Sequence, residues 1–402
     1  MTGAVGTEPL RGLRVVDAAT LAAGPLIATW LGEHGADVIK IEQPDGGDPL
    51  RQWGAQRDGV GLMWKSVSRN KRSVTANLRA EAGRDLLRGL VDTADVVVLN
   101  LRPSTLQRWG LDHASLSVRN PGLVTVHVTG YGAGGPKSDR PGFGTLGEAM
   151  SGFAHLTGHP DGPPTLPSFM LADGVAALTA TWAVMMALYH RDVHGGGGQL
   201  IDLNLIEPLA RLIEQPVLTH DQLGTVPNRT GNRWDISAPR NTYRSADGHW
   251  LAMSGSAPTI AMRALRAVGR PDLTSDPRFA EAQQRLQHAG EIDAVMADWI
   301  AGRTLDEAMA VFEEAEVAAA PVYDAPQLLA DPQLTARGTY PRVPDTELGE
   351  MRVQGPVPRF SATPGRITHL GPALGAHTEE VYRELLGLDD DRLAELRASE
   401  VL

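Results

Sequence analysis

The 402-residue chain contains no cysteine. That absence excludes a disulfide framework, a thiolate nucleophile and any cysteine-ligated metal. Positive charge is also in short supply: 37 Lys and Arg stand against 48 Asp and Glu, a formal net charge of −11. Such a balance argues against a general affinity for nucleic acid or acidic membranes, while leaving room for a local basic pocket. The opening stretch MTGAVGTEPLRGLR has no apolar core of the signal-peptide kind. No apolar run is expected to reach a membrane span, because Thr179, Thr181 and Trp182 interrupt the longest one. HExxH, EF-hand and His-cluster patterns are missing, which argues against a metal site. There is no GxSxG elbow. No GxGxxG follows the first predicted strand, so an NAD-type pyrophosphate cradle is unsupported. Neither an internal repeat nor a low-complexity tract is visible. The expectation is a soluble cytoplasmic protein.

What is present is a chain of 42% apolar and 21% charged residues, enough to bury a large core and to form two or more domains. Residues 13–17 (LRVVD), 37–42 (DVIKIE), 96–99 and 123–128 read as strands. Helices are predicted from Gly24-Pro25 to about His34 and over 79–92, where Leu86, Leu87, Leu90 and Val91 share a face. Asn70, Lys71 and Arg72 read as loop. Strands alternating with helices predict an α/β fold with a parallel sheet covered on both faces. Residues 130–144 hold six Gly and two Pro and form a long loop; a helix follows over 146–156. Gly195 to Gly198 is a flexible turn, since a strand and not Gly-Lys-Ser/Thr comes next. Residues 224–241 read as a linker, and Asp247-Gly248 as a hairpin turn. Helical patterns then occupy 257–268, 278–302, 304–315, 378–386 and 389–398.

One carboxylate is conspicuous. Asp173 stands where a proline-punctuated loop (163–170) becomes a long apolar helix, and the next ionisable side chain is Tyr189. Asp is a favoured helix N-cap. A desolvated carboxylate at a helix N-terminus also stays ionised and suits a nucleophile. Local sequence supports both roles. The helix is hydrophobic nearly all round, which predicts burial on every side. Basic residues gather at predicted strand ends and loops: Lys71 and Arg72, Arg79, Arg102 and Arg108, Lys137 and Arg140. They fit either an anionic ligand or an ordinary solvated surface. His155 and His159, near Asp173 in sequence, fit either an acid–base role or plain loop positions.

Several blocks carry a family resemblance: LRGLRVVD, AAGP, LGEHGADVIKIE, SRNKRSVTANL, ADVVVLNLRPSTLQRWG, TGYGAGGPKSDRPGF, EAMSG, LADGVAAL and GGGGQLIDLNLIE. In this order they resemble the family III CoA-transferases (the CaiB/BaiF group), which include formyl-CoA:oxalate and carnitine CoA-transferases and the related alpha-methylacyl-CoA racemases. The likeness weakens through 224–241. It implies a Rossmann-like large CoA-binding domain over 1–224 to which residues 331–402 return, and a smaller α+β domain over 225–330. It also implies an interlocked, ring-like homodimer. Asp173 matches the family nucleophile. Leu21 and Ala23 match backbone contacts to CoA; Asn100, Leu101, Arg108 and Trp109 match the block that holds its nucleotide; Arg79 and Arg140 match basic contacts. No tightly bound cofactor is implied; coenzyme A and acyl-CoA enter as substrate, with a carboxylic acid as acceptor. Thr20 and Gln43 replace a His and an Arg of formyl-CoA transferase, so oxalate specificity does not transfer.

The resemblance leaves two rivals. A racemase needs a base on each face of the alpha carbon. The racemase block GHDxNYLxxSG reads PGFGTLGEAMSG here, with Phe143 in the His position. Phe carries no transferable proton, which leaves only His155 to serve beside Asp173. The other rival is a catalytically silent CoA-binding homologue, against which the intact Asp173 argues.

Overall fold

The computed structural model describes residues 8–402. Short runs rich in Val and Ile form a six-stranded sheet: β1 (Arg14–Asp17), β2 (Asp37–Glu42), β3 (Lys71–Thr75), β4 (Val96–Leu99), β5 (Val124–Thr129) and β6 (Leu200–Asn204). Their order is β3-β2-β1-β4-β5-β6, and every pairing is parallel. Successive side chains point to opposite faces. Val15, Val38, Val96 and Val98 therefore join one core, while Val16, Ile39, Val74, Val97 and Leu99 join the other.

Helices cover both faces. α1 (Ala23–Gly32) and the long α4 (Leu171–His194) close the first core. α2 (Glu81–Asp92) closes the second by burying Leu86, Leu87, Leu90 and Val91, the face its periodicity predicts. A short α3 (Gly144–Met150) lies between the glycine-rich loop and α4.

Two expectations are corrected. Lys71 and Arg72 lie in an edge strand and not in a loop. β3 pairs with β2 from Val38↔Lys71 to Glu42↔Thr75. Its charged start hides the strand pattern: Lys71 is neutralised by Asp17 in the interior, and Arg72 by Asp37 at the half-buried edge. The apolar helix, in turn, is unbroken. The hydroxyls of Thr179 and Thr181 donate back to the carbonyls of Val175 and Ala177, each at 2.8 Å, which lets threonine sit inside a helix. By length and composition alone these 24 residues meet the requirement for a membrane span. Only one face is buried, through Ala172, Ala176, Ala177, Ala180, Val184, Ala187 and Leu188. Leu178, Trp182, Met186, Tyr189 and Val193 face outward, each more than half exposed.

The chain divides into two compact units. The first comprises residues 1–153, 166–215 and 336–402; the second comprises 154–165 and 216–335. The second unit is built on an antiparallel sheet of β7 (Arg240–Arg244), β8 (Trp250–Ser254) and β9 (Ala319–Pro321). Gly248, at φ +86°, makes the turn between β7 and β8. Pro277–Ala280, Ala282–Gln287 and Ala289–Ala301 are separate helices where the sequence reads as one.

Leu87 is fully buried where α2 meets the sheet. Leu87→Ala is expected to cost about 2–5 kcal/mol through lost transfer energy and a residual cavity. A lower urea midpoint at unchanged slope is the expected signature.

Candidate active site

In the order β3-β2-β1-β4-β5-β6 the chain winds away in opposite directions from β1 and β4, and ligands of such sheets bind outside the carboxyl ends at that switch point. The structure has a cavity of about 1130 Å³ there. Thr20 to Ala23 follow β1, Asn100 and Arg102 follow β4, and Val128 to Gly130 end β5; all of them line it. Asn100 ties the two crossover loops together, accepting from the Thr20 N–H at 3.1 Å and donating to the Thr20 carbonyl at 2.9 Å.

Asp173 opens onto this cavity from the first turn of α4. It is not the N-cap. That position belongs to Met170, whose side chain makes no capping bond. Part of the capping comes from another helix: Glu148 of α3, only 3% exposed, accepts the Ala172 N–H at 3.3 Å. Asp173 is thus spared the Ala172 N–H. Burial pushes the Asp173 carboxyl above its ordinary value, and the Glu148 charge pushes the same way. The backbone of Asp173 itself and of Ala23 opposes the shift and favours the ionised form. The result is a carboxylate that ionises reluctantly in a poorly hydrated place.

The space around the carboxylate is tight. A Cβ on Gly144 would lie 2.1 Å from Asp173 Oδ2, so only glycine fits at the start of α3. Gly130 and Gly142 press together at the base of the glycine-rich loop, where a Cβ on either would come within 2.6 Å of the other's Cα. The N–H of Gly132 donates to Thr129 Oγ1 at 2.8 Å and is not available to a ligand.

Beneath the Ala19–Ala23 loop lies a sealed group of charges. Asp17, Lys40, Asp48 and Lys71 are each 0–1% exposed. Lys40 Nζ sits 3.0 Å from Asp48 and 3.6 Å from Asp17, and Lys71 Nζ sits 2.9 Å from Asp17. Burial drags the Lys71 ammonium down to about 8, with Asp17 opposing the shift. The Lys40 ammonium is raised in spite of its burial, because Asp17, Asp48 and Glu42 surround it.

Of the residues singled out in the sequence, Leu21, Ala23, Asn100 and Arg140 line the cavity with Asp173. Arg79, Leu101, Arg108 and Trp109 do not. Leu101 and Trp109 pack on the core beside α2, and the Arg84 guanidinium lies 5.4 Å over the Trp109 ring. Arg79 and Arg108 are exposed. Phe143 and Phe169 line the cavity although 58% and 66% exposed. His155 belongs to the second unit, where its Nε2 lies 3.1 Å from the Pro227 carbonyl. Glu148 and Gly144 escaped the sequence reading. The available signal was a lone charge on the otherwise uncharged GTLGEAM. Among the described residues, no group of three or more His, Asp or Glu could hold a metal ion.

Comparison with known proteins agrees with this picture. The model of CoA-transferase family III matches residues 10–378. Succinyl-CoA--D-citramalate CoA-transferase of Chloroflexus aurantiacus is 41% identical over 396 residues, covering 98% of each chain. The beta subunit of succinyl-CoA--L-malate CoA-transferase from the same organism is 40% identical over the full length of both. The crystal structure of a CAIB/BAIF family protein from Brucella suis, 31% identical, covers 94% of this chain and 100% of its own with a TM-score of 0.82. The chain is therefore a member of the family III CoA-transferases, enzymes that use CoA thioesters as substrate.

Gly144→Ala is expected to displace the Asp173 carboxylate. A misplacement of about 1 Å costs on the order of 100-fold in rate. The variant should lose CoA-transfer activity to about that extent while its circular dichroism spectrum stays unchanged.

Proposed function

We propose that this enzyme moves CoA from an acyl-CoA thioester to an acceptor carboxylic acid with Asp173 as the covalent carrier. The observation that supports it most is a partly desolvated carboxylate at a helix N-terminus, facing a cavity large enough for a thioester at the carboxyl edge of a doubly wound sheet. Asp173 attacks the thioester carbonyl; the C–S bond breaks and CoA leaves as thiolate. The thiolate attacks the aspartyl carbonyl of the resulting anhydride and expels the donor acid as carboxylate. The acceptor carboxylate then attacks the aspartyl-CoA thioester. CoA is released, attacks the new acyl carbonyl, and frees Asp173. No net proton is consumed, so no general acid is required. Anhydride and thioester both hydrolyse, so the apolar walls given by Phe143, Phe169 and Leu146 serve to exclude water.

In this reading Leu21 and Ala23 flank the pantetheine and adenine side of CoA, Asn100, Leu101, Arg108 and Trp109 form the block toward its nucleotide, and Arg79 is a further basic contact. Arg102 and Arg140, the two cations of the lining, suit anionic groups of the substrates. The relatives named for succinyl-CoA favour that donor and a small carboxylate acceptor. The exposed apolar stripe of α4 suits a homodimer interface, although two relatives are named as the alpha and beta subunits of one enzyme, which is a mixed assembly. A cytoplasmic location fits a chain without cysteine. Proton exchange, the racemase alternative, finds no second free base in the lining: Phe143 occupies the position, and Glu148 is buried against the backbone of α4.

Incubation with succinyl-CoA followed by hydroxylamine should give an adduct on Asp173, seen by mass spectrometry and missing in Asp173→Ala. Alpha-proton exchange into deuterated water with no adduct would overturn the proposal in favour of a racemase.

The pH dependence has a definite sign. Turnover needs ionised Asp173, whose pKa is raised by burial. The acidic limb of kcat/KM is thus expected above the ordinary carboxylate range, with activity lost as pH falls through it. The folded state holds this proton more tightly than the unfolded chain, so stability from this group grows as pH falls, and the ionised form is a cost at neutral pH. Asp173→Asn should then melt at a higher temperature than the parent enzyme at pH 7 while losing turnover.

A further inference from the structure

We propose that the sealed cluster of Asp17, Lys40, Asp48 and Lys71 is the positioning device of the active site, holding Leu21 in a left-handed backbone conformation so that Thr20 to Ala23 form a fixed wall of the cavity that Asp173 faces. The inference rests on the reading of Asp173 as nucleophile.

Leu21 has φ +69°, a conformation that costs a non-glycine residue on the order of 1 kcal/mol or more and persists only when its surroundings impose it. Here they do. The Leu21 N–H donates to Asp48 Oδ1 at 3.0 Å and to Oδ2 at 3.3 Å. Each ion of the cluster makes at least one bond to the segment from Ala19 to Pro25. Asp17 accepts the Ala19 N–H at 3.2 Å. Lys40 donates to the Ala19 carbonyl, and Lys71 to the Pro25 carbonyl at 2.7 Å. Asp48 takes Leu21. Asn100 clamps Thr20 between them. The segment is thus fixed at four polar atoms by charges that water does not reach, and its residues Leu21 and Ala23 line the cavity together with Asp173.

Stability alone is a weak reason for such a cluster. Buried ion pairs seldom outdo well-packed apolar residues of the same volume. Two cations and two anions at this depth make sense as orientation: each fixes a direction, and together they leave no net charge beneath the nucleophile. Glu42 extends the arrangement by accepting the Asp48 N–H at 3.0 Å, and Arg51 neutralises Glu42 at 2.7 Å.

The test contrasts charge with backbone geometry. Asp48→Asn retains an acceptor for the Leu21 N–H and turns an amide toward Lys40. It is expected to lower kcat for CoA transfer from succinyl-CoA by about 10-fold or more, with KM changed by less than about 3-fold. The acidic limb of kcat/KM should move to higher pH, because the influence of the Ala23 backbone that favours ionised Asp173 is weakened. Adding Leu21→Gly should restore at least about half of the lost kcat, since glycine adopts φ > 0 without a Cβ penalty. Leu21→Val leaves all four ions untouched, which keeps the test alive if Asp48→Asn does not fold. A β-branched residue resists the left-handed region, so this variant should reproduce both the kcat loss and the shift of the limb. Parent-like kcat and an unmoved limb in Leu21→Val, or no rescue in the double variant, would overturn the proposal. Full turnover by Asp173→Ala would instead defeat the nucleophile reading, so the two failures are distinguishable.

Discussion

The burial of balanced charge at the root of β1, β2 and β3 is the constraint from which the active edge of this enzyme follows. Lys40 and Lys71 enter the interior on adjacent strands and would be intolerable alone. Asp17 at the end of β1 and Asp48 in the loop after β2 neutralise them. Once these ions are sealed in, their remaining hydrogen-bonding capacity must go to backbone, and the nearest backbone is the turn between β1 and α1. The turn is rigid for that reason, and it forms one wall of the cavity. The doubly wound topology supplies the location, and the ions supply the precision.

A second division of labour concerns α4. A helix of 24 residues presents unpaired N–H groups at its start. If Asp173 had to serve them, its carboxylate would be spent. Glu148 reaches across from α3 to serve Ala172, and the carboxylate three residues into the helix stays turned toward the cavity. Glu148 also adds negative charge beside a group that burial already discourages from ionising. The site holds the Asp173 carboxylate in a state the folded protein would rather avoid, which is a recurrent relation between function and stability.

How much of this was legible in the sequence depended on whether a residue acts with its neighbours or across the fold. The strands at 37–42 and 96–99 and the apolar face of α2 were visible because period 2 and period 3.6 are local signals. β3 was invisible: KRSVT opens with two cations, and only Asp17 and Asp37, distant in sequence, make them compatible with a buried sheet. The threonines of α4 looked like interruptions because their bonds to the preceding turn are a property of the helix already formed. Asp173 was conspicuous as a lone charge, but its release from the Ala172 N–H depends on Glu148, 25 residues earlier. The positive φ of Leu21 had no sequence signal, since leucine is not a residue that asks for it. The family resemblance pointed to Asp173 and to eight CoA contacts, of which Leu21, Ala23, Asn100 and Arg140 line the cavity; it also drew in Leu101 and Trp109, which pack against the core in this chain.

Gly144 carries a consequence for how this enzyme can vary. Every base change in its codon that alters the amino acid introduces a Cβ, and that atom would lie 2.1 Å from the nucleophile's oxygen. No stepwise path through small side chains leads away from this position. A lineage that accepts any mutation there must move α3, relocate the carboxylate or abandon the chemistry at once. A single nucleotide is thus enough to press a Cβ against the Asp173 carboxylate.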